Sequence, residues 1–443
     1  MARKKREPET AQIEAVTHDG KGIAAIEGKK VFVTGALLGE TVRFQRRKRK
    51  KNYDEAELLE VLESSEARIE PRCAVFGTCG GCSLQHITGE NQREIKHRAL
   101  VDNLQRIGQV EPQRWLDPLF DDSNDGGWKY RRRARLAVKN VAGKGRVLVG
   151  FRESHAPYIC DMHRCEVLAS PVDALIDPLS ELIGGLSISS RLPQVEVAVA
   201  DDVTELVFRV LDPPTDEDLA ALSAFAAEHK LQVALQTGGP GSVIPLANGD
   251  APKPLRYSLP EFDVTIEFEA TDFVQVNGSV NRMMVSRAIE LLDVGSDHRV
   301  LDLYCGIGNF SLPLARKAKH VLGIEGEIAQ VRRSQSNAQQ NNMDNCEFRQ
   351  ADLSAIEGNE LWIKEDWDRV LLDPARSGAL EVVANMTAIG ASRIVYVSCH
   401  PGTLARDAGT LVRDHGYILE AAGIIDMFPH TGHVESIAVF QKG

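Results

Sequence analysis

After Asp272 the chain alternates short apolar runs with helical stretches, and that order admits little besides a parallel sheet covered by helices on both faces. The runs are Val300–Tyr304, His320–Ile324, Cys346–Gln350, Arg369–Leu372 and Ile394–Val397. Helices are expected from Phe310 to about Ala318 and over 327–340. Each strand ends in a polar or glycine-rich turn. Cys305-Gly306-Ile307-Gly308-Asn309 comes after the first, and its glycines let a ligand approach the backbone at a helix start. The next three strands end at Glu325, Asp352 and Asp373, with Glu325 suited to accept hydrogen bonds from ribose hydroxyls. The fifth ends at Ser398-Cys399-His400-Pro401. Proline cannot continue a central strand, so Cys399 falls at the carboxyl edge, where open α/β sheets bind ligands. A lone cysteine is most often a small buried hydrophobe. The polar turn around Cys399 favours a nucleophile instead. The dinucleotide fingerprint Gly-x-Gly-x-x-Gly is not matched, because position 311 is Ser.

The full length, 443 residues, exceeds one core and calls for further domains. Residues 8–66 read as a small OB-type β-barrel: Ala11–Val16, Gly22–Ile26, Lys30–Thr34, Thr41–Gln45 and Glu57–Leu62 are strand-like, with turn signals at Asp19-Gly20, Glu27-Gly28 and Gly39. Residues 67–270 read as a central α+β domain, with strands at Arg133–Lys139, Val147–Phe151, Gln194–Ala200, Glu205–Val210 and Lys230–Gln236 and an alanine-rich helix near 216–228. A helix over Glu90–Gly108 is placed to pack on the catalytic domain, 271–443. Gly238–Pro254 reads as an irregular loop.

Three cysteines, Cys73, Cys79 and Cys82, lie close together with two glycines between the last pair, a spacing that bends a chain around one metal centre. Cys160 and Cys165 are both available as a fourth ligand, and spacing does not separate zinc from an iron–sulfur cluster. With no apolar segment after the basic Met1–Arg6, the eight cysteines suit metal or catalysis in a cytoplasmic protein better than disulfides. No run is long enough to span a bilayer. The net charge of −11 argues against indiscriminate nucleic-acid binding. Basic residues are bunched, however, at Arg43–Lys51 and Tyr130–Arg135, which suits a specific polyanion or a solvated charged face.

The strand order after Asp272 is similar to that of class I S-adenosylmethionine-dependent methyltransferases. Asp272-Phe-Val-Gln-Val-Asn277, Asp302-Leu-Tyr-Cys-Gly-Ile-Gly-Asn309, Leu372-Asp-Pro-Ala-Arg376, Tyr396-Val-Ser-Cys399 and Met427-Phe-Pro-His-Thr-Gly-His-Val-Glu435 resemble the RNA 5-methyluridine methyltransferases over nearly the whole chain. The resemblance implies an α/β multidomain protein: an N-terminal TRAM barrel that binds RNA, a central domain with a [4Fe–4S] cluster, and a Rossmann-like catalytic domain. A TRAM-like barrel together with the cysteine group is similar to the members that methylate a uridine in 23S rRNA, at a uracil-1939 type site. The resemblance also implies cluster ligands Cys73, Cys79, Cys82 and Cys165, the last because it precedes an apolar triplet. It assigns S-adenosylmethionine contacts to Gln275, Tyr304, Asn309, Glu325, Asp352 and Asp373, and stacking of the target base to Phe273. It implies 23S rRNA as partner, with no obligate protein partner and a monomer. His400 departs from the family's usual Asn in Ser-Cys-Asn-Pro.

The chemistry agrees. C5 of uracil is a poor nucleophile towards a methyl sulfonium, and thiolate attack at C6 makes C5 enolate-like. A base must then remove the C5 proton so that the cysteine can leave, and Glu435 is the candidate. An RNA 5-methylcytidine methyltransferase would normally carry a second cysteine in the Asp-Pro segment, and Asp373-Pro-Ala-Arg376 has none. An inactive RNA-binding iron–sulfur protein would be favoured had Cys399 or Glu435 been missing, and both are present.

Overall fold

The computed structural model describes residues 7–123, 126–246 and 251–443. The basic segment Met1–Arg6 and residues 247–250 of the Gly238–Pro254 loop lie outside the described residues. The catalytic sheet contains β1 (Arg299–Leu303), β2 (His320–Glu325), β3 (Cys346–Gln350), β4 (Arg369–Leu372), β5 (Arg393–Ser398), β6 (Tyr417–Ile425) and β7 (Glu435–Lys442). Their order is β3-β2-β1-β4-β5-β7-β6, extended at the β6 edge by Arg114–Trp115. Strands β1 to β5 are parallel, and β7 is antiparallel to both β5 and β6. Alternate residues of each central strand feed two different cores. Val300, Val321, Leu371 and Val395 enter one, and Leu301, Leu322, Val370 and Ile394 enter the other. Burying such a side chain is worth about 2 kcal/mol, which is why unbroken apolar runs read as central strands. The chain reverses direction of travel at β1, between β2 and β4, and opens a crevice at the carboxyl edge there.

The N-terminal sheet has six strands rather than the five expected. The expected strand Ala11–Val16 is kinked at Ile13 and Glu14, because Ile13 donates to the Glu40 carbonyl and Glu14 to that of Ile23. Glu9–Gln12 therefore pairs with Thr41–Arg49, while Ala15–Val16 pairs with Lys21–Ile26. These halves are the two ends of the sheet order, so the sheet closes through the kink around Ile13, Val31, Val33, Val42 and Phe44.

The central sheet runs Val243–Pro245, Gln232–Gln236, Thr204–Arg209, Gln194–Val199, Arg133–Val141, Arg146–Gly150. The expected helix near 216–228 spans Asp216–His229, opened by a capping box from Thr215 to Asp218. One hairpin ahead of the expected boundary near residue 270 shares a core with the catalytic sheet. The hairpin Leu255–Leu259/Val264–Phe268 turns Leu255, Tyr257, Ile266 and Phe268 into the core of the catalytic sheet. The helix expected over Glu90–Gly108 is α-helical over Gly89–Asn103 and ends in a π-helical turn, Leu104–Gly108. Leu100 and Leu104 pack in the catalytic core. Among the described residues no helix is long and apolar enough to cross a membrane.

Candidate active site

The crevice is built from the residues at the carboxyl ends of the parallel strands. Tyr304, just past β1, holds φ at +65°, a left-handed backbone that costs a non-glycine residue on the order of 1 kcal/mol and clusters at functional sites. Glu325 at the end of β2 accepts from Gly306 N at 3.1 Å and from Gly326 N at 2.8 Å, which ties the glycine loop to the neighbouring strand. Asp352 is exposed, and hydrogen bonds from Ser354 hold its carboxyl below the ordinary range. Asn309 has its side chain committed within the protein: its Oδ1 accepts from Tyr257 Oη and Asn281 Nδ2, and its Nδ2 donates to Asn281 Oδ1, all at 3.0 Å. It therefore orients the loop. Asn277, which closes the Asp272–Asn277 motif, caps the helix Gly278–Leu292 by accepting from Val280 N. The structure thus lines Tyr304, Glu325, Asp352 and Asp373 along one strand edge.

Asp302 on β1 is wholly buried; it accepts from the Ser311 hydroxyl through one oxygen, and the other has no partner. Burial pushes it up to about 7. The folded carboxyl therefore keeps a proton that the unfolded chain releases near its ordinary 3.8, so this group's contribution to stability falls as pH rises across that window. Asp302→Asn should accordingly raise thermal stability at pH 8, by about 1–2 kcal/mol or roughly 2–6 °C, and change it little at pH 4. Melting curves at the two pH values check this; an equal shift at both would count against it.

Cys399 and Glu435, far apart in sequence, meet through the β5–β7 ladder. Its last pair is Ser398 with Ser436, so the next antiparallel step sets Cys399 opposite Glu435 at the carboxyl edge of the parallel strands. Glu435 is buried, and burial first and then Asp373 push it well above the carboxylate range. Burial pushes Asp373 up to about 7. Cys399 is half-buried; burial, then Glu435 and Asp373, push the thiol up to about 11, while Arg376 pulls the other way. A thiol and two carboxyls thus share one desolvated corner, the arrangement in which strongly shifted groups mark a reactive site.

His400 takes over a job that an asparagine does well. Its Nδ1 accepts from Thr403 N at 3.2 Å and caps the helix Pro401–Arg413. Burial first, and then Arg376 and His18, keep His400 below its ordinary pKa, and the neutral ring it favours is the form that can accept.

The two basic runs are placed differently. In Tyr130–Arg135, Arg132 is buried, with its guanidinium 4.6 Å over Tyr257 and Nε donating to the Gln275 carbonyl at 2.9 Å. Arg133 donates to the Asp272 carbonyl at 3.0 Å. The run therefore anchors the Asp272–Asn277 segment, and Phe273 on it stays 69% exposed, free to meet a base. In Arg43–Lys51 the strand alongside is acidic. Arg43 pairs with Glu60, Arg46 with Glu9 and Asp54, Arg47 with Glu57, and Lys48 with Glu55. Only Lys50 and Lys51 of this run form no ion pair among the described residues.

Cys73, Cys79, Cys82 and Cys165 line one cavity of about 220 Å³, with Phe76, Phe151 and Met162 around them. Cys160 is buried beside Cys79 and outside that lining. Gly81 N faces a sulfur, 3.4 Å from Cys79 Sγ, while Leu168 N donates to the Cys165 carbonyl at 3.3 Å. Four thiols and an amide donor around an apolar-walled cavity are a donor set suited to an iron–sulfur centre. Among the described residues, however, no group of three or more His, Cys, Asp or Glu is placed to hold a metal ion. The four thiols share a cavity, and no coordination shell is formed among the described residues.

Sequence reasoning missed Asp302, Arg132, Asn281 and the buried pair Lys96–Asp426, whose Nζ–Oδ1 distance is 2.7 Å. A signal for Lys96 existed: Gln92, Lys96 and Leu100 form an i, i+4, i+8 stripe, and all three are buried.

Residues 129–442 match the family described as tRNA (uracil-5-)-methyltransferase. The chain is 49% identical over 437 residues to the 23S rRNA (uracil(1939)-C(5))-methyltransferase RlmD of Alkalilimnicola ehrlichii, covering 99% of this chain and 97% of that one. It is 49% identical over 436 residues to the RlmD of Methylococcus capsulatus, covering 98% and 97%. Its fold is similar to the crystal structure of the Pyrococcus abyssi tRNA (uracil-54, C5)-methyltransferase in complex with S-adenosyl-L-homocysteine, with TM-score 0.74, 23% identity, and 97% and 99% of the two chains covered.

Proposed function

The chain belongs to the tRNA (uracil-5-)-methyltransferase family, and from that premise we propose that it transfers a methyl group from S-adenosylmethionine to C5 of uridine 1939 in 23S rRNA. The observation that carries the chemistry is the ladder step that sets Cys399 against Glu435 beside Asp373. S-adenosylmethionine supplies an electrophilic methyl and a positive sulfonium. Tyr304, Glu325, Asp352 and Asp373 line its crevice, and the Gln275 segment closes the side anchored by Arg132. The Cys399 sulfur bonds to C6, and the C5–C6 electron pair moves onto C5 and the C4 oxygen. C5 then takes the methyl as the methyl–sulfonium bond breaks, its electron pair staying on sulfur, so that S-adenosylhomocysteine leaves. Glu435 removes the C5 proton, the electron pair restores the double bond, and the C6–sulfur bond breaks. The positive charge brought into the crevice favours the ionised forms of Cys399, Asp373 and Glu435; burial holds all three pKa values up, and Asp373 adds to the rise of the other two. Phe273, exposed on the anchored segment, stacks on the extruded uracil. The test is incubation with 23S rRNA, tRNA and a 23S transcript carrying cytidine at 1939. Methyl incorporation in the first alone supports the reading; incorporation in tRNA, or in the cytidine transcript, sinks the assigned site.

The closed N-terminal sheet, residues 8–66, acts as a TRAM-type RNA-binding module. With most of its basic strand satisfied by acidic neighbours, Lys50 and Lys51 carry the phosphate contacts. Replacing both with Gln should lower the log–log salt slope of RNA binding by roughly two. An unchanged slope leaves the barrel without that role.

The central cavity holds a [4Fe–4S] cluster through Cys73, Cys79, Cys82 and Cys165. Protein purified without oxygen should be brown, with iron and sulfide in matching amounts, and Cys160→Ser should keep both. Zinc alone in that preparation, or loss of iron in Cys160→Ser, would refute the assignment.

A further inference from the structure

The loop that delivers Glu435 is gripped from outside the catalytic sheet. Residues 426–434 join β6 to β7. Lys96, wholly buried on the helix Gly89–Asn103, donates to Asp426 Oδ1 at 2.7 Å and to the Phe428 carbonyl at 2.9 Å. One turn earlier on the same face, Gln92 accepts from His430 N at 2.8 Å, and its Nε2 lies 3.3 Å from His430 Nδ1. Ser83 and Leu84, next to Cys82, both donate to the His430 carbonyl, at 3.0 and 2.9 Å. Trp128 stacks on the His430 ring at 3.8 Å, and Tyr130 Oη donates to the Pro429 carbonyl at 3.2 Å. His430 itself holds φ at +65°, a conformation these contacts maintain against its cost. Cys399 is delivered differently. It directly follows β5, a strand held on both sides by its ladders to β4 and β7, and none of these contacts touches it.

We propose that Lys96 and Gln92 are positioning residues for the elimination step, holding loop 426–434 so that Glu435 meets the C5 proton after methyl transfer. The proposal rests on Glu435 being the base. It separates two steps that share one corner: attack and methyl transfer depend on β5, and proton removal depends on the grip on the loop. A carboxylate misplaced by a fraction of an ångström loses its proton-transfer geometry, while the thiol keeps its own.

The test is single-turnover methylation of the rRNA substrate, with adduct formation and adduct decay monitored on denaturing gels. Three variants are used: Lys96→Met, the paired Lys96→Met/Asp426→Leu, and Gln92→Ala. The pair is included because removing Lys96 alone strands the buried Asp426 carboxylate, whereas removing both charges need not destabilise the fold. Gln92→Ala strands no charge at all. Expected are adduct formation within about twofold of wild type, decay slowed roughly 10- to 100-fold, and an unchanged KM for S-adenosylmethionine. A purely structural defect would slow both steps together, and that result overturns the proposal. Unchanged decay in the paired variant and in Gln92→Ala overturns it as well. Glu435→Gln run alongside separates the two claims: if it fails to accumulate adduct, the base assignment is wrong; if it accumulates adduct and the clamp variants do not, only the clamp is wrong.

Discussion

Glu435→Gln should leave the enzyme covalently joined to an RNA that already carries the new methyl group. Glutamine keeps the shape of the buried side chain and cannot take a proton. Attack by Cys399 and methyl transfer need no proton acceptor at position 435, and removing the carboxyl lifts its repulsion of the thiolate, so both should proceed. Elimination needs the C5 proton removed, so the C6–sulfur bond should persist. Turnover should fall by about 10²–10⁴-fold, the usual scale for a lost general base. The adduct should survive denaturing electrophoresis and carry label from methyl-labelled S-adenosylmethionine. Full turnover would remove Glu435 as the base and pass the role to His400 or His433. Of these, His400 is committed to the helix cap, and burial first and then Arg376 hold His433 below its ordinary pKa. Replacing the buried, high-pKa carboxyl should also stabilise the protein most at high pH, since the folded state no longer has to ionise a desolvated acid there.

Cys399→Ala should fail at the opposite end of the pathway. It should bind RNA and S-adenosylmethionine, transfer no methyl group and form no adduct with RNA carrying 5-fluorouridine at the target. The loss should be on the order of 10⁴–10⁶-fold, the range in which losing a covalent nucleophile acts. A half-buried thiol replaced by a methyl group leaves the strand and its ladder intact, so affinity serves as the internal control. An adduct formed by this variant would place the nucleophile elsewhere. Because the two substitutions arrest the reaction on either side of methyl transfer, their phenotypes order the steps as well as assign the residues.

Much of the catalytic domain was legible because its signals are local. Unbroken apolar runs such as Ile394–Val397 specify a strand buried on both faces, and Pro401 specifies where it stops. The acids that end β2 and β4 were placed by the same reading. The grouping of Cys73, Cys79 and Cys82 came from their spacing, and Cys165 lines the same cavity. The role of His400 was not legible, since capping depends on the Thr403 amide it meets in space.

Periodicity and turn chemistry act over a few residues, so the sequence by itself determined the five parallel strands of the catalytic sheet and the reactive groups at their carboxyl ends. Pairing between distant segments decided the rest. The β5–β7 register sets Cys399 opposite Glu435. The acidic strand Tyr53–Glu63 turns most of the basic run into ion pairs. Burial beside Tyr257 makes Arg132 an anchor. Lys96, an ordinary lysine in the sequence, becomes a buried grip on a loop 330 positions away. Charge and proton affinity depend on what lies within a few ångströms, and for these residues the tertiary fold supplies those neighbours.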